Sequence, residues 1–364
     1  MTVKEVTDIL ETLAPLSQAE DFDNVGLLVG DASAEVSGVL VTLDTLENVV
    51  DEAIAKSCNL IVSFHPIIFG GLKKLTQDTY VTRTVAKAIR NDLSIYSMHT
   101  ALDNSSQGVN AKICEVLGIG DPKILIPKKG TVKKLTTYVP EAEASALRKA
   151  LFEAGAGHIG NYSHCSFNGQ GIGTYLPENG ANPVKGTLGK IHQENEIEIN
   201  LIFSDFLESK ILHSLKTNHP YEEVAYEILT IENRNPTIGM GMVGTLATPM
   251  KELDFLELVK KRMNAAGIRH SRLLGKNVQK VAVLGGSGAF AIGAARAAGA
   301  DMFITADIKY HQYYEAESKI VVADIGHYET EQFTKNLLVD YLTKKLPNFA
   351  IHLSECKTNP INYL

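Results

Sequence analysis

The sequence predicts an α/β fold in which both ends of the chain build one domain and the middle forms another. Short β-branched runs alternate with amphipathic helical patterns in the first 125 residues, and the same alternation returns in the last 85 residues. The segment between them carries many glycines and a different order of predicted elements. A length of 364 residues also favours two domains over one.

The N-terminal segment alternates strands with helices. Aliphatic and β-branched runs predict strands at residues 39–43, 60–64 and 95–99, and amphipathic periodicity predicts helices at 46–55 and 81–90. This alternation is typical of βαβ units, in which successive strands are parallel and the helices cover the sheet.

The C-terminal segment repeats this style. Strands are predicted at 280–284, 302–305 and 320–323, an alanine-rich helix ends at Ala298, and a longer helix covers 330–345. Because both ends of the chain predict the same kind of unit, we expect them to share one host domain.

The middle of the chain follows another pattern. A charged strand at 194–203, a helix at 205–217 and a further strand at 225–231 complete a split βαβ order. This order is typical of a ferredoxin-like fold. The middle segment is therefore predicted to fold separately from the host.

Exposed turns mark both ends of this middle segment. Pro127 to Gly130 precedes it, and a glycine-rich stretch at 239–244 follows it. Inserted domains commonly leave and rejoin their host at such turns. We therefore predict a host domain formed by 1–126 and 245–364, which carries an inserted domain at 127–244.

Charge and composition argue against several classes of function. The formal net charge is −7, the sequence pI is ≈ 5.9 and no run of Lys or Arg offers a phosphate-tracking stripe, which argues against non-specific binding to nucleic acid or an anionic membrane. No apolar stretch approaches the roughly 20 residues that span a bilayer, and the N-terminus lacks a signal-peptide pattern. Four cysteines lie far apart without a CxxC pair, which fits a cytoplasmic location and leaves His and carboxylate groups as metal ligands.

Histidine and carboxylate residues follow the predicted strands of the host domain. His65 follows the second strand, His99 ends the third, and Asp103 comes four residues later. His327 follows a C-terminal strand, and Glu331 lies four residues on, so the two share a helix face. Because loops at strand ends converge over a sheet, these positions suit a metal site. The predicted ligands are His65, Asp103, His327 and Glu331.

A mixed set of nitrogen and oxygen ligands suits Zn²⁺, Fe²⁺ or Mn²⁺ better than Ca²⁺ or Cu⁺. Each residue also has a simpler interpretation. Asp103 fits an Asx turn, and the pair of His327 and Glu331 fits a solvated helix surface. Two further residues stay open: Asp44 either faces this site or caps a helix, and Asp307 either supports the site or begins a helix.

A glycine turn at 285–288 follows a predicted strand and precedes a helix. Its amides could cradle a phosphate, or the glycines could simply allow a tight connection. Phosphate binding beside a metal would suit a nucleotide substrate.

Eight motifs carry a family resemblance. They are DNVGLLVG (23–30), SFHPIIFGGLKKL (63–75), HTALDNSSQGVN (99–110), GAGHIGNYSHCSF (155–167), HPYEEVAYEI (219–228), GGSGAF (285–290), TADIKYH (305–311) and DIGHYETE (324–331). Together they resemble the GTP cyclohydrolase I type 2 homologue family, also called the Ngg-interacting-factor-three family. The middle motifs resemble its longer bacterial members, whose insert is similar to the PII and CutA proteins.

This resemblance implies an α/β-sandwich host domain with a PII/CutA-like insert, assembled as a toroidal homohexamer that is a trimer of dimers. It also implies one or two divalent cations (Zn, Fe or Mn) per subunit. His65 and Asp103 would bind one ion and His327 the second, with Glu331 bridging them. Phe64 stands where bacterial members usually have another histidine, so one ligand of the second ion is missing here.

Two functions from different classes follow. The first is a metal-dependent hydrolase of a small-molecule substrate, a nucleotide or a phosphoester, in which Glu331 or His99 moves protons. The second is a non-enzymatic sensor or scaffold, in which the insert binds a small molecule or partner and the metal is structural. Metal storage is a third interpretation.

Overall fold

β-branched runs from both ends of the chain form two sheets of one unit, which comprises Met1–Pro127 and Pro236–Leu364. A second unit comprises Lys128–Asn235. This computed structural model describes all 364 residues. Helices and strands alternate along it, so the predicted α/β class is confirmed.

The strands are β1 (Gly26–Val29), β2 (Val39–Thr42), β3 (Leu60–Ser63), β4 (Ser94–Ser97), β5 (Ile119–Pro127), β6 (Val132–Pro140), β7 (Phe167–Tyr175), β8 (His192–Ser204), β9 (Tyr226–Thr230), β10 (Gly239–Lys251), β11 (Arg269–His270), β12 (Asn277–Ser287), β13 (Met302–Ala306), β14 (Val321–Asp324) and β15 (Ile351–Leu353). The α-helices are α1 (Val3–Glu11), α2 (Glu47–Ala55), α3 (Tyr80–Arg90), α4 (His99–Asp103), α5 (Val109–Leu117), α6 (Ala144–Glu153), α7 (Glu208–Asn218), α8 (Glu252–Arg262), α9 (Ile292–Ala297), α10 (His327–Glu331) and α11 (Thr334–Lys345). No helix combines the length and apolar character that crossing a bilayer requires.

The larger unit contains a five-stranded and a six-stranded sheet. The first has the order β1-β4-β3-β2-β15 and is parallel except for β1. The second has the order β11-β14-β13-β12-β10-β5, with β12, β13 and β14 parallel. Strands buried on both faces read as continuous apolar runs, which explains why β2 and β3 were recognisable from sequence.

The main core joins the two sheets. Val41 and Val62 of the five-stranded sheet belong to the same buried cluster as Val283 and Ile304 of the six-stranded sheet, together with residues of α5, α8 and α11. Helices α2 and α3 cover the other face of the first sheet, and α9 covers the other face of the second. This layering leaves the carboxyl ends of the parallel strands free to carry functional side chains.

The helix predicted at 330–345 is two helices, α10 and α11. Side chains near the break are tied to other segments: Thr330 Oγ1 accepts from the Gly286 amide at 2.9 Å, and Gln332 Nε2 donates to the Met263 carbonyl at 2.6 Å. These anchors hold α10 as a single short helix that both His327 and Glu331 belong to.

The smaller unit has the order β6-α6-β7-β8-α7-β9. Its sheet has the strand order β7-β8-β6-β9, with every neighbouring pair antiparallel. Helices α6 and α7 share one buried cluster with the sheet. The next strand, β10, begins at Gly239, ahead of the boundary predicted near 244, and pairs with β5 and β12 in the larger unit.

Candidate metal centre

Strand ends from both halves of the chain bring three predicted ligands together. His65 follows β3, while His327 and Glu331 begin and end α10, which follows β14. One ligand atom from each of these residues lies within 4.8 Å of the others. Two imidazoles and one carboxylate therefore surround a single point, which suits a divalent cation such as Zn²⁺.

Glu331 Oε2 lies between the two imidazoles, close to the Nε2 atom of each. It is 3.1 Å from His65 Nε2 and 3.2 Å from His327 Nε2. The Glu331 side chain is only 4% exposed, yet Oε2 has no partner in hydrogen-bond geometry. A buried carboxylate oxygen is normally balanced by positive charge, and the groups able to balance this one are two protonated imidazoles or a cation at the centre. The residues present thus fit a divalent metal.

Carboxylates behind the two histidines select the ring nitrogen that faces the centre. His65 Nδ1 lies 2.7 Å from Asp44 Oδ1, and His327 Nδ1 lies 2.7 Å from Asp307 Oδ2. When each Nδ1–H donates to its carboxylate, each Nε2 keeps its lone pair for a metal. Of the alternatives left open by sequence, Asp44 and Asp307 support the site.

The same carboxylates, together with Glu331, raise the pKa values of the two histidines. Burial lowers the pKa of His65, but Asp44 and Glu331 outweigh it and raise that pKa to about 10. Burial likewise lowers the pKa of His327, and Asp307 and Glu331 raise it to about 11. Burial acts to raise the pKa of Glu331, but the two imidazoles hold it well below its usual range. Negative charge dominates this centre, so a cation would take the place of the imidazole protons.

The glycine turn makes room for Glu331, and its first two amides are not free to bind a phosphate. Gly286 has φ +67°, and a Cβ there would lie 2.4 Å from Glu331 Oε1. The Gly285 amide donates to Asn110 Oδ1 at 3.0 Å, and the Gly286 amide donates to Thr330 Oγ1 at 2.9 Å. The phosphate interpretation is wrong for these two amides because both are already hydrogen-bonded to side chains.

Asp103 ends α4 and lies in a cavity of about 250 Å³ that His99, His327 and Glu331 also line. It is outside the group of three converging ligands. Its Oδ1 is buried without a hydrogen-bond partner. Burial, and then the charge of Glu331, raise the pKa of Asp103 well above its ordinary value. An added cation would relieve both effects.

His99 adds a third imidazole. Its Nδ1 lies 2.8 Å from Asp23 Oδ1, and its ring centroid is 5.3 Å from that of His65. Burial acts to raise the pKa of Asp23, but hydrogen bonds from His99 and Thr100 lower it to about 2. Sequence reasoning assigned Asp23 no role: it opens the motif DNVGLLVG, but it lies in a loop before β1 and no local pattern pairs it with His99.

Phe64 occupies the position at which the family resemblance implies another histidine. Its side chain is fully buried in the main core. Its ring centroid lies 4.9 Å from that of His65 and 5.5 Å from that of His99. Phe64 therefore packs against the imidazoles and contributes no ligand atom.

A larger cavity of about 800 Å³ opens beside the centre. Its lining includes His65, His327, Asp307, Arg269 and Tyr363. Both candidate ligand histidines therefore border a space large enough for a nucleotide-sized molecule.

Known proteins resemble this chain along its whole length. The family model described as Duf34/NIF3 (NGG1p interacting factor 3) matches residues 1–360. A Bacillus subtilis (strain 168) protein named GTP cyclohydrolase 1 type 2 homolog is 36% identical over 371 residues, covering 99% of this chain and 98% of the relative. A Halalkalibacterium halodurans protein of the same name is 36% identical over 364 residues, with coverage of 99% and 98%.

Two solved structures share this fold. A Bacillus cereus protein related to NIF3 superposes with a TM-score of 0.87 at 36% identity, covering 100% of this chain and 99% of that chain. A Staphylococcus aureus protein superposes with a TM-score of 0.79 at 28% identity and the same coverage.

Proposed function

The chain belongs to the Duf34/NIF3 family, and we propose that it is a metal-dependent hydrolase. One observation carries this proposal: the converging ligands His65 and His327 line an open cavity of about 800 Å³. A structural metal is commonly enclosed by four protein ligands, whereas a catalytic one keeps a position open to substrate. Here three protein ligands converge and a substrate-sized space adjoins them.

Each residue has a proposed role. His65, His327 and Glu331 hold one divalent cation, Zn²⁺, Fe²⁺ or Mn²⁺, and the unpartnered Asp103 oxygen offers a ligand toward a second. A bound cation supplies Lewis acidity that activates water and polarises a carbonyl or phosphoryl oxygen. Because Phe64 gives no ligand, the first ion is expected to bind more tightly than the second.

Proton transfer is assigned to His99 rather than to Glu331. The Glu331 side chain is 4% exposed and lies between two imidazoles, which leaves it little contact with substrate. His99 lines the smaller cavity, and Asp23 holds its Nδ1, so Nε2 is the atom left to exchange a proton. Asp44 and Asp307 orient the ligand imidazoles.

The substrate is proposed to be a nucleotide or another phosphoester. Support comes from the size of the larger cavity and from relatives whose names refer to GTP cyclohydrolase. Arg269 lines that cavity as a cationic group, although it is ion-paired with Asp324. A purine ring carbon or a phosphorus atom are the two proposed points of attack.

Elemental analysis combined with a hydrolysis screen over nucleotides and phosphoesters tests this function. We expect about one tightly bound metal per chain, and loss of both metal and turnover in Glu331→Gln, because Gln cannot supply the charge that balances a cation. Glu257→Gln is the matched control, since Glu257 is exposed on α8. Full turnover in metal-free protein would refute the hydrolase, and bound metal without turnover would favour a structural metal in a sensor or scaffold.

We also propose that Lys128–Asn235 is an inserted ferredoxin-like domain of the PII/CutA kind. The element order β-α-β-β-α-β and the antiparallel strand order support it. A homohexamer, as the family resemblance implies, is proposed for the assembly. Native mass spectrometry of the full chain tests the hexamer, and a dimer or monomer at physiological concentration would contradict it.

A further inference from the structure

The sheet of the smaller unit has one face that its helices leave open. Leu135, Ile199 and Leu201 point toward α6 and α7 and are buried with them. Side chains alternate along a strand, so Tyr138, Glu196 and the other residues of the opposite parity lie on the open face. This face carries polar and aromatic groups that no part of the proposed hydrolase uses.

A cavity of about 550 Å³ lies on this open face. Strands β7 and β8 contribute to it, as do the segment between them and the segment before β9. Its volume is that of a small-molecule site. Pro177, Pro183 and Val184 supply an apolar wall. Tyr175 and Tyr221 form a corner with ring centroids 5.8 Å apart.

Alternating glycines explain why there is space here. Gly169, Gly171 and Gly173 occupy one face of β7, opposite a row of glutamates on β8. A Cβ at Gly173 would lie 2.1 Å from Glu196 Oε2, so the carboxylate occupies space that a side chain would otherwise fill. The glycine-rich motif at 169–173 thus forms an open floor on which acidic groups lie.

The lining is strongly one-sided in charge. Glu196, Glu198, Glu222 and Glu223 line the cavity, and no Lys, Arg or His does. The neighbouring Glu194 is neutralised by Lys185 at 2.7 Å and lies outside the lining.

Two of the lining carboxylates are held in place by neighbours that carry no charge. The Tyr221 hydroxyl donates to Glu196 Oε1 at 2.8 Å, and Asn200 Nδ2 donates to Glu198 Oε1 at 2.7 Å. Burial and the adjacent Glu196 raise the pKa of Tyr221, which therefore stays protonated as a donor. The negative charge is oriented but not neutralised.

We propose that this cavity binds a small organic cation, an amine or guanidinium carried on an apolar or aromatic body. The carboxylates Glu196 and Glu198 would meet the charge, and the tyrosine corner would meet the body by stacking and cation–π contact. Anionic ligands are disfavoured because every charged side chain in the lining is negative. This site is separate from the proposed hydrolase and does not depend on it.

Tryptamine is a suitable probe because the chain contains no tryptophan, so indole fluorescence reports the ligand alone. The full chain is titrated with tryptamine and, separately, with indole-3-propionate, which carries the same ring with the opposite charge. We expect saturable anisotropy with tryptamine only. No saturable binding of tryptamine, or equal binding of the anion, would overturn the proposal.

Two glycine variants give a matched pair. No atom lies within 4 Å of a Cβ built at Gly171, which lines the cavity, and valine suits a strand. Gly171→Val should therefore fold normally, occupy the cavity and weaken tryptamine binding by about tenfold. Gly70→Val adds the same side chain in the larger unit, again with no atom within 4 Å of its Cβ and outside the lining, and should leave tryptamine binding unchanged. Equal weakening by both variants would contradict the assigned position.

Glu196→Gln keeps an acceptor for Tyr221 and removes the charge, so about fivefold weaker binding is expected. Unchanged binding in this variant would overturn the electrostatic assignment. Stripping metal from the protein should leave tryptamine binding intact. If binding is lost with the metal, the probe occupies the larger unit and the proposal fails, while the hydrolase proposal stays untouched.

Discussion

Substitution of Thr358 would show whether a residue two hydrogen bonds away from the proposed metal affects metal binding. Its hydroxyl donates to Asp44 Oδ2 at 2.6 Å, while Asp44 Oδ1 accepts from His65 Nδ1 at 2.7 Å. Thr358 is 7% exposed and follows the last strand, β15. Thr358, more than 300 residues away in sequence, thus orients the Asp44 carboxylate, which in turn orients the proposed ligand His65. Thr358→Val removes the hydroxyl and keeps the shape.

The expected magnitude follows from the exposure of Asp44. A hydrogen bond to a charged group contributes about 1.5–3 kcal/mol when water cannot replace it. The Asp44 side chain is 30% exposed, so water can substitute in part and we expect a loss of about 1 kcal/mol. This corresponds to about fivefold weaker metal binding. Asp44→Asn, which removes the charge directly behind His65, should weaken binding by about 10- to 100-fold.

Competition between metal-stripped protein and a chromophoric chelator measures this affinity. Thr84→Val is the matched control, because the Thr84 hydroxyl is buried without a hydrogen-bond partner and lies on α3, away from the centre. Its affinity should equal that of the unmodified chain. The reasoning is refuted if Thr358→Val binds metal no more weakly than Thr84→Val while Asp44→Asn shows its expected loss.

Three further predictions concern the centre and the chain around it. Gly286→Ala should abolish metal binding, measured by elemental analysis, because its Cβ would lie 2.4 Å from Glu331 Oε1. Gly275→Ala is the control: Gly275 has a similar φ of +73° and nothing within 4 Å of its Cβ, so this variant should keep its full metal content. Equal losses in the two variants would mean that backbone strain, and not the contact with Glu331, removes the metal. Phe64→His should raise the bound metal above one ion per chain, because the new imidazole would lie beside His65. Phe64→Leu is the control and should stay at one ion per chain. An unchanged stoichiometry in Phe64→His would show that a side chain at this position does not reach a second ion. Burial acts to raise the pKa of Glu52, but hydrogen bonds from the Glu355 amide, Lys56 and Ser354 lower it to about 2. Its contribution, about 1 kcal/mol after allowance for solvent, is therefore present above the ordinary carboxyl pKa and is lost as pH falls toward 2. Urea unfolding across that range should show a smaller loss in Glu52→Gln, and identical pH profiles would contradict the assignment.

Part of the candidate metal centre could be predicted from sequence because three of its residues follow the ends of recognisable strands. His65, His327 and Glu331 follow apolar runs whose parallel arrangement is readable from periodicity, so their convergence was expected. The roles of Asp44 and Asp307 stayed open, because each choice depends on whether a distant imidazole comes within hydrogen-bond distance.

Other parts depended on contacts that no local pattern encodes. Asp23 and Thr358 lie in irregular segments, and only the folded chain brings them to His99 and Asp44. The glycine turn was misread in part because its amides are taken by Asn110 and Thr330, which come from other elements. Local sequence can predict the geometry of a turn, but tertiary hydrogen bonds of this kind determine whether its amides are free to bind a ligand.

The two halves of the centre leave the ribosome at different times. His65 emerges early in synthesis, whereas His327 and Glu331 emerge only after the whole smaller unit and most of the larger one have been translated. A nascent chain therefore cannot assemble the converging ligand set until nearly all of its host strands are available. Once bound, a cation would link segments separated by most of the chain and would stabilise only the completed fold. Metal loading would in this way distinguish finished molecules from truncated ones.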